Sequence, residues 1–195
     1  MKKLIYLALM AMMFPCLAAA AEAELAASAP KELSVFFKQT AHFAVPGASA
    51  GLEADVTKAN MKKLVQNNNL QVIKHGARLY AISVTSGETP ETVIETLKRS
   101  NIVMSACVRT RTSYRRLITV VFKKTVTVET DNGLSFKAQV NDDEKAGLLA
   151  KYGLCITDAY NAETFAAVVP QGQTGADIAT QLANEPLVSR ASAQQ

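Results

Sequence analysis

The sequence predicts an α+β protein built from two tandem copies of one unit, each an antiparallel sheet with helices on one face. Three observations predict it. First, residues 70–106 are repeated in residues 154–191. Leu79-Tyr80-Ala81-Ile82-Ser83-Val84 lies over Thr164-Phe165-Ala166-Ala167-Val168-Val169, Leu97 over Leu182, and Ile102-Val103-Met104-Ser105-Ala106 over Leu187-Val188-Ser189-Arg190-Ala191. Self-similarity at a fixed offset means one supersecondary unit used twice. Second, Asn69 and Gly153, the residues best able to adopt a left-handed backbone, meet at one place in the two copies. Third, a hydrophobic content of 49% is ample for a packed core and argues against disorder.

Residues 1–23 read as an export signal, with Lys2 and Lys3 ahead of a short apolar run that Pro15 ends. Ala18-Ala19-Ala20 and Ala21-Glu22-Ala23 both offer the small-x-small pattern of a cleavage site. The run is too short to span a membrane. The expected location is the bacterial periplasm or the medium, with no stable membrane insertion after cleavage. About 170 residues then remain, enough for one larger domain or two small ones. A net charge of +4 is modest and does not mark a nucleic-acid binder.

Residues 33–45, with Phe36, Phe37 and Phe43, read as a strand broken by Pro46-Gly47. Thr57 caps a helix with Met61, Leu64 and Val65 inward, and Asn69 stops it. Residues 70–74 and 79–84 are short strands around His75-Gly76. Pro90 opens a helix carrying Val93, Ile94 and Leu97, and residues 102–108 close the unit. Residues 118–129 and 134–140 flank Asp131-Asn132-Gly133, a hairpin signal. Asn141 with Glu144 makes a capping box for a helix with Ala146, Leu148 and Leu149 inward, and Gly153 ends it. Residues 154–157 and 164–169 are strands, Thr174 or Gly175 opens a helix with Ile178 and Leu182 inward, and residues 187–191 close the second unit. Strand, helix, strand, strand, helix, strand is the ferredoxin-like split βαβ order. The expected division is a first unit over 33–113, a connector and hairpin strand over 114–133, and a second unit over 134–195. Helices cover one sheet face and leave the other open to a partner or another domain.

The chemistry-bearing residues are few. Cys107 and Cys155 fall in different copies; they are either two semi-buried thiols or, in an oxidising compartment, a bridge stapling the copies together. His42 and His75 have no companions at metal spacing, and no metal or cofactor is expected. His75 beside Gly76 reads as a turn residue; the enzymatic alternative would assemble it in space with a cysteine. Asp142, Asp143 and Glu144 complement the dipole of a helix start. Arg109, Arg111, Arg115 and Arg116 around Tyr114 read as a solvated connector, or as a patch for an acidic partner. An RNA-binding ferredoxin-like domain would need stacking aromatics on central strands, and no nucleic-acid partner is expected.

Three stretches of the second copy carry a resemblance: Lys145-Ala146-Gly147-Leu148-Leu149-Ala150-Lys151-Tyr152-Gly153-Leu154, then Phe165-Ala166-Ala167-Val168-Val169-Pro170-Gln171-Gly172, then Ile178 to Ala191 ending Leu187-Val188-Ser189-Arg190-Ala191. In this order they resemble the prodomain of subtilisin-like serine proteases, in particular the fervidolysin-type N-terminal prodomain, over about residues 134 to 192. The resemblance implies a propeptide-like ferredoxin-like module that docks its open sheet face on a protease, threads an extended C-terminal tail into the cleft, and acts as inhibitor or folding chaperone without catalysis or cofactor. The implied contact residues are Arg190, Ser192, Ala193, Gln194 and Gln195, with Val188 and Ala191 holding the strand behind them. No catalytic domain follows Gln195 in this sequence, so the protease is expected on a separate chain. A non-enzymatic module on the same fold that binds another protein or assembles with itself is the alternative.

Overall fold

The computed structural model describes residues 32–43, 52–85, 87–109 and 116–194. Residues 1–23, expected as an export signal, and Pro46-Gly47, Arg111, Tyr114, Arg115 and Gln195 lie outside them. Lys31–Gln195 pack as one compact unit. The fold is mixed α+β, with four helices among the described residues and antiparallel pairing in every sheet. No helix among these residues is long and apolar enough to cross a membrane.

The first sheet contains β1 (Glu32–Phe37), β4 (Leu70–His75), β5 (Leu79–Val84) and β6 (Val103–Val108), in the order β4-β5-β1-β6. A hairpin of β2 (Thr40–Phe43) and β3 (Leu52–Asp55) leaves after β1. Helix α1 (Lys58–Asn67) precedes β4, and α2 (Pro90–Lys98) precedes β6. The second sheet repeats this with β7 (Leu117–Phe122), β10 (Cys155–Ala159), β11 (Thr164–Val168) and β12 (Val188–Ala193), ordered β10-β11-β7-β12. Its hairpin is β8 (Thr125–Glu129) with β9 (Ser135–Gln139), and its helices are α3 (Asp142–Lys151) and α4 (Gly175–Ala183).

Local chemistry sets these boundaries. Thr57 and Asn141 each form a capping box with the residue three further on, and Thr89 and Thr174 cap the other two helices. Asn69 and Gly153 both take positive φ, 51° and 61°, and turn the chain from helix into edge strand. A Cβ at Gly153 would lie 3.0 Å from Pro170 Cγ, so glycine there answers both to the backbone and to a close neighbour.

The repeat is more complete than residues 70–106 and 154–191 indicate. It includes β1 with β7 and the two hairpins, and it extends to irregularities of pairing. A register shift separates Phe36 from Phe37 where β1 meets β6, and another separates Val188 from Arg190 where β12 meets β7. Shifts likewise fall between Val72 and Lys74 and between Ile156 and Asp158. Two expectations are corrected. The strand over 33–45 is two strands broken at Lys38-Gln39, and that over 118–129 is two broken at Lys123-Lys124. At each break the chain leaves its four-stranded sheet for a hairpin that pairs only with itself, closed by Val56 N–H on Gln39 O and Val140 N–H on Lys124 O. The stretch expected as a connector therefore holds β7, a central strand of the second sheet.

Each sheet buries one face against its own helices. Leu33, Val35 and Phe37 meet Met61, Val65, Val93, Ile94 and Leu97 in the first half. Ile118, Val120 and Phe122 meet Leu148, Leu149, Ile178 and Leu182 in the second. The other faces differ. That of the first sheet, with Ser34, Phe36, Ala81, Ser83 and Ser105, is buried too. Phe36 is 1% exposed and, with Met104, belongs to the second half's core, its ring edge-on to Phe165 at 5.6 Å. The covering elements are β10, lying over β1, β5 and β6, and α3, lying against β6 and β2.

Phe36 and Val121 hold equivalent places, each opposite the first residue of the next strand (Leu79 and Thr164). Phe36→Ala is expected to cost about 3–5 kcal/mol by opening a cavity between the halves. Val121→Ala, on an uncovered face, is expected to cost less than about 1 kcal/mol. Urea unfolding midpoints of the two variants check the difference.

Candidate functional site: the exposed face of the second sheet

Among the described residues, no element covers the outer face of the second sheet. Its residues follow from the register: Val121 stands between Thr164 and Arg190, and Thr119 between Ala166 and Ser192. Leu117 and Val168 pair at one end. Ala166 is buried, Leu117, Thr119, Val121, Thr164, Val168 and Ser192 are half-buried, and Arg190 and Gln194 are exposed. The equivalent row on the covered sheet reads Phe36, Leu79 and Ser105. A large aromatic, a leucine and a small hydroxyl there are here valine, threonine and arginine. This is a surface built to meet water in the free protein, with apolar area between polar groups.

Arg190, Ser192 and Gln194 all belong to this face. Val188 is buried in the helix-side core, and Ala191 is partly buried against it. The tail differs from the expectation. Ser192 and Ala193 are the last residues of β12, opposite Thr119 and Ile118. The Gln194 N–H donates to Leu117 O at 2.8 Å, and its side-chain amide donates to Thr119 Oγ1 at 3.0 Å. Ala193 Cβ also lies 3.3 Å from where a Cβ would stand on Gly175, at the start of α4. Backbone groups committed to a sheet ladder are not available to a partner's cleft. The physical cause is that β7 runs long enough to pair with β12 from Arg190 to Ala193 and to accept from Gln194 N–H at Leu117 O.

The junction between the halves shows how such a face is occupied. β10 lays its free edge on the first sheet, and two serines satisfy it: Ile156 N–H donates to Ser105 Oγ at 3.2 Å, and Ser34 Oγ donates to Ile156 O at 3.5 Å. An edge strand must be paired or covered, and here hydroxyls take the place of a neighbouring strand. Cys107 and Cys155 are joined as a disulfide, with Cα atoms 5.9 Å apart and 48 positions apart in sequence. Closing a loop of that size removes about 4 kcal/mol of unfolded-state entropy in the chain-entropy treatment.

The acidic trio at the start of α3 does more than complement a dipole. Asp142 is buried and receives Arg78 Nη2 at 2.7 Å, Lys145 Nζ at 3.3 Å and Gln39 N–H at 2.5 Å. Asp143 receives Lys38 Nζ, and His42 Nδ1 lies 2.7 Å from its other oxygen. Glu144 alone serves the helix cap. Arg78 also donates to Phe37 O at 2.8 Å and stacks 4.8 Å over the Phe36 ring. Burial lowers the Arg78 guanidinium, and the charge and hydrogen bond of Asp142 oppose that. Burial raises the Asp143 carboxyl, but the hydrogen bonds and charges of Lys38 and His42 outweigh it and hold it below the usual aspartate range.

His75 sits in β4 beside the Tyr80 ring at 5.8 Å, and the sulfurs of Cys107 and Cys155 are bonded to each other. Among the described residues no group of three or more His, Cys, Asp or Glu side chains could hold a metal. Two shallow surface depressions are lined by Gly172, Gln173, Asp177, Ile178, Thr180 and Gln181, and by Thr40, Glu53, Ala54 and Asp55. Of the arginine cluster, Arg109 and Arg116 are described; Arg109 lies 3.4 Å from Glu32, and Arg116 O accepts from Val169 N–H at 2.9 Å. Comparison with protein-family models, curated proteins and solved structures finds no match for this chain.

Sequence reasoning missed the junction because Lys38, Arg78 and Asp142 lie far apart in the chain. The one local signal was a run of three acids where a single one completes the capping box.

Asp142→Ala is expected to destabilise the fold by about 3 kcal/mol, since it leaves the buried ends of Arg78 and Lys145 without their carboxylate. Glu144→Ala is expected to cost about 1 kcal/mol as a lost cap; thermal melts of both check the order. Asp143 is depressed in the folded state, so its contribution is present above the ordinary aspartate range and is lost as the pH falls through its lowered value. Stability measured down an acid series is expected to fall less steeply for Asp143→Asn than for the parent.

Proposed function

We propose that this protein is an exported, non-enzymatic inhibitor or folding chaperone of a subtilisin-like serine protease, acting in trans through the exposed face of the second sheet. We infer further that each half is a ferredoxin-like module. The order β4-β5-β1-β6, repeated as β10-β11-β7-β12 with both helices on one face, supports that reading. Each half adds a two-stranded hairpin after its first strand.

One observation carries the proposal: of two equivalent sheet faces, the first is covered by the second half, and the second has no covering element among the described residues. A half-apolar face edged by Arg190 and Gln194 suits a protein partner. The prodomain-like text of the second copy agrees, since it is this copy that keeps an uncovered face.

The bonding of Ser192 to Gln194 along β7 moves the emphasis from tail to face. Docking by the face needs only side chains that already point outward. Insertion of Ser192 and Ala193 into a cleft would require the end of β12 to peel from β7, giving up pairings with Thr119 and Ile118. Loss of a few ladder bonds is within reach of a cleft that replaces them with its own main-chain bonds.

The test is inhibition of a mature subtilisin-like protease by the purified protein. Arg190→Glu with Ser192→Glu, both on the exposed face, is expected to weaken inhibition more than tenfold, about 1.4 kcal/mol or more of binding, with the melting temperature unchanged. Undiminished inhibition by that variant would exclude the face as the docking surface.

A further inference from the structure

The junction between the halves is asymmetric: the first half contributes a sheet face with Lys38 and Arg78, and the second contributes β10 and the start of α3. Because the halves are repeats, each also carries the surface that the other uses. The second half has its uncovered sheet face, and the first has β4 and the start of α1. We propose that a second copy of this chain docks head to tail, placing its β4 and α1 on the second sheet's face as β10 and α3 sit on the first.

The equivalent residues support this pairing. Arg78 and Asp142 form the buried ion pair of the junction. Glu163 takes the place of Arg78: Phe37 N–H donates to Arg78 O at 2.9 Å, and Phe122 N–H donates to Glu163 O at 2.8 Å. Lys58 takes the place of Asp142, since each directly follows its helix cap, Thr57 and Asn141. Both signs are reversed together, so the attraction is kept between copies. A reversal of one partner alone would have set like charges against each other, at a cost in association.

Other equivalents are compatible. Thr119 retains the hydroxyl with which Ser34 reaches Ile156 O, and Val72 stands where Ile156 does. Ser192 and Gln71 replace the disulfide cysteines with a pair able to hydrogen-bond. Apolar area is present on both sides. Ile73 on β4 is 50% exposed, and on the β8–β9 hairpin Val128 and Phe136 are 39% and 51% exposed.

The contact between copies lacks three things that the junction has. Arg190 replaces Ser105, Ala59 replaces Asp143, and there is no disulfide. It is therefore reversible and weaker than the junction. Its two surfaces differ, so the association is heterologous, leaving one free surface of each kind at the ends and growing with concentration unless the ring closes. This inference does not depend on the protease reading. It uses the same face, so self-association and protease binding exclude one another.

The test uses the chain alone, with no protease present. Sedimentation velocity over a concentration series is expected to show concentration-dependent growth that rising salt weakens. Lys58→Glu and Glu163→Lys are each expected to weaken it about tenfold. An equimolar mixture of the two variants is expected to recover it, because each then meets an opposite charge on the other; so is the double variant. A chain that stays monomeric at all concentrations overturns the proposal, as does growth of either single variant equal to the parent's. Because no protease is present, none of these outcomes bears on inhibition.

Discussion

A sheet whose helices cover one side still has a second side to account for, and in the first half of this protein that side carries a large aromatic among serines. Phe36 stands on it, and it can leave water only beneath another part of the chain. The second half supplies the cover, with β10 across the sheet and α3 against its edge. Much else answers to this contact. Ser34 and Ser105 are small hydroxyls because a strand edge comes down on them. Asp142 is a carboxylate deep in the protein because Arg78 and Lys145 reach it there. The disulfide closes the same seam.

The contact makes equal halves unequal. Repeated residues, caps and register shifts specify one architecture twice. The row that faces away from the helices diverges, from Phe36, Leu79 and Ser105 to Val121, Thr164 and Arg190. A duplicated module with one face consumed and one exposed holds, in its own junction, an example of how such a face can be met. The junction displays how a partner's edge strand and helix start can be received, in hydrogen-bond detail.

The elements that were legible from sequence are those specified by neighbours. Thr57, Asn141 and Thr174 announced helix starts, Asn69 and Gly153 announced helix ends, and Asp131-Asn132-Gly133 announced a hairpin. The breaks at Lys38-Gln39 and Lys123-Lys124 were not legible, because a run of β-formers does not say where it changes partners. β7 was read as part of a hairpin strand outside the second unit because its repeat partner β1 shares pattern but few identities. The extent of β12 was likewise decided by β7, which offers pairing as far as Leu117 O for Gln194.

For the candidate site, sequence reasoning reached Arg190, Ser192 and Gln194 through a resemblance, and read Ser192 and Gln194 as a tail. The fold makes all three side chains of one sheet face. Which face stays uncovered depends on where β10 and α3 lie, and that is set by contacts between residues such as Arg78 and Asp142 that no local pattern connects. The sequence by itself determined the repeat, the helix boundaries and the helices' inward residues, because periodicity and capping are local. Only the tertiary structure decided that Cys107 meets Cys155, that the acidic trio is an ion-pair anchor, and that one of two equivalent faces remains exposed. Those outcomes are set by pairings across the whole chain.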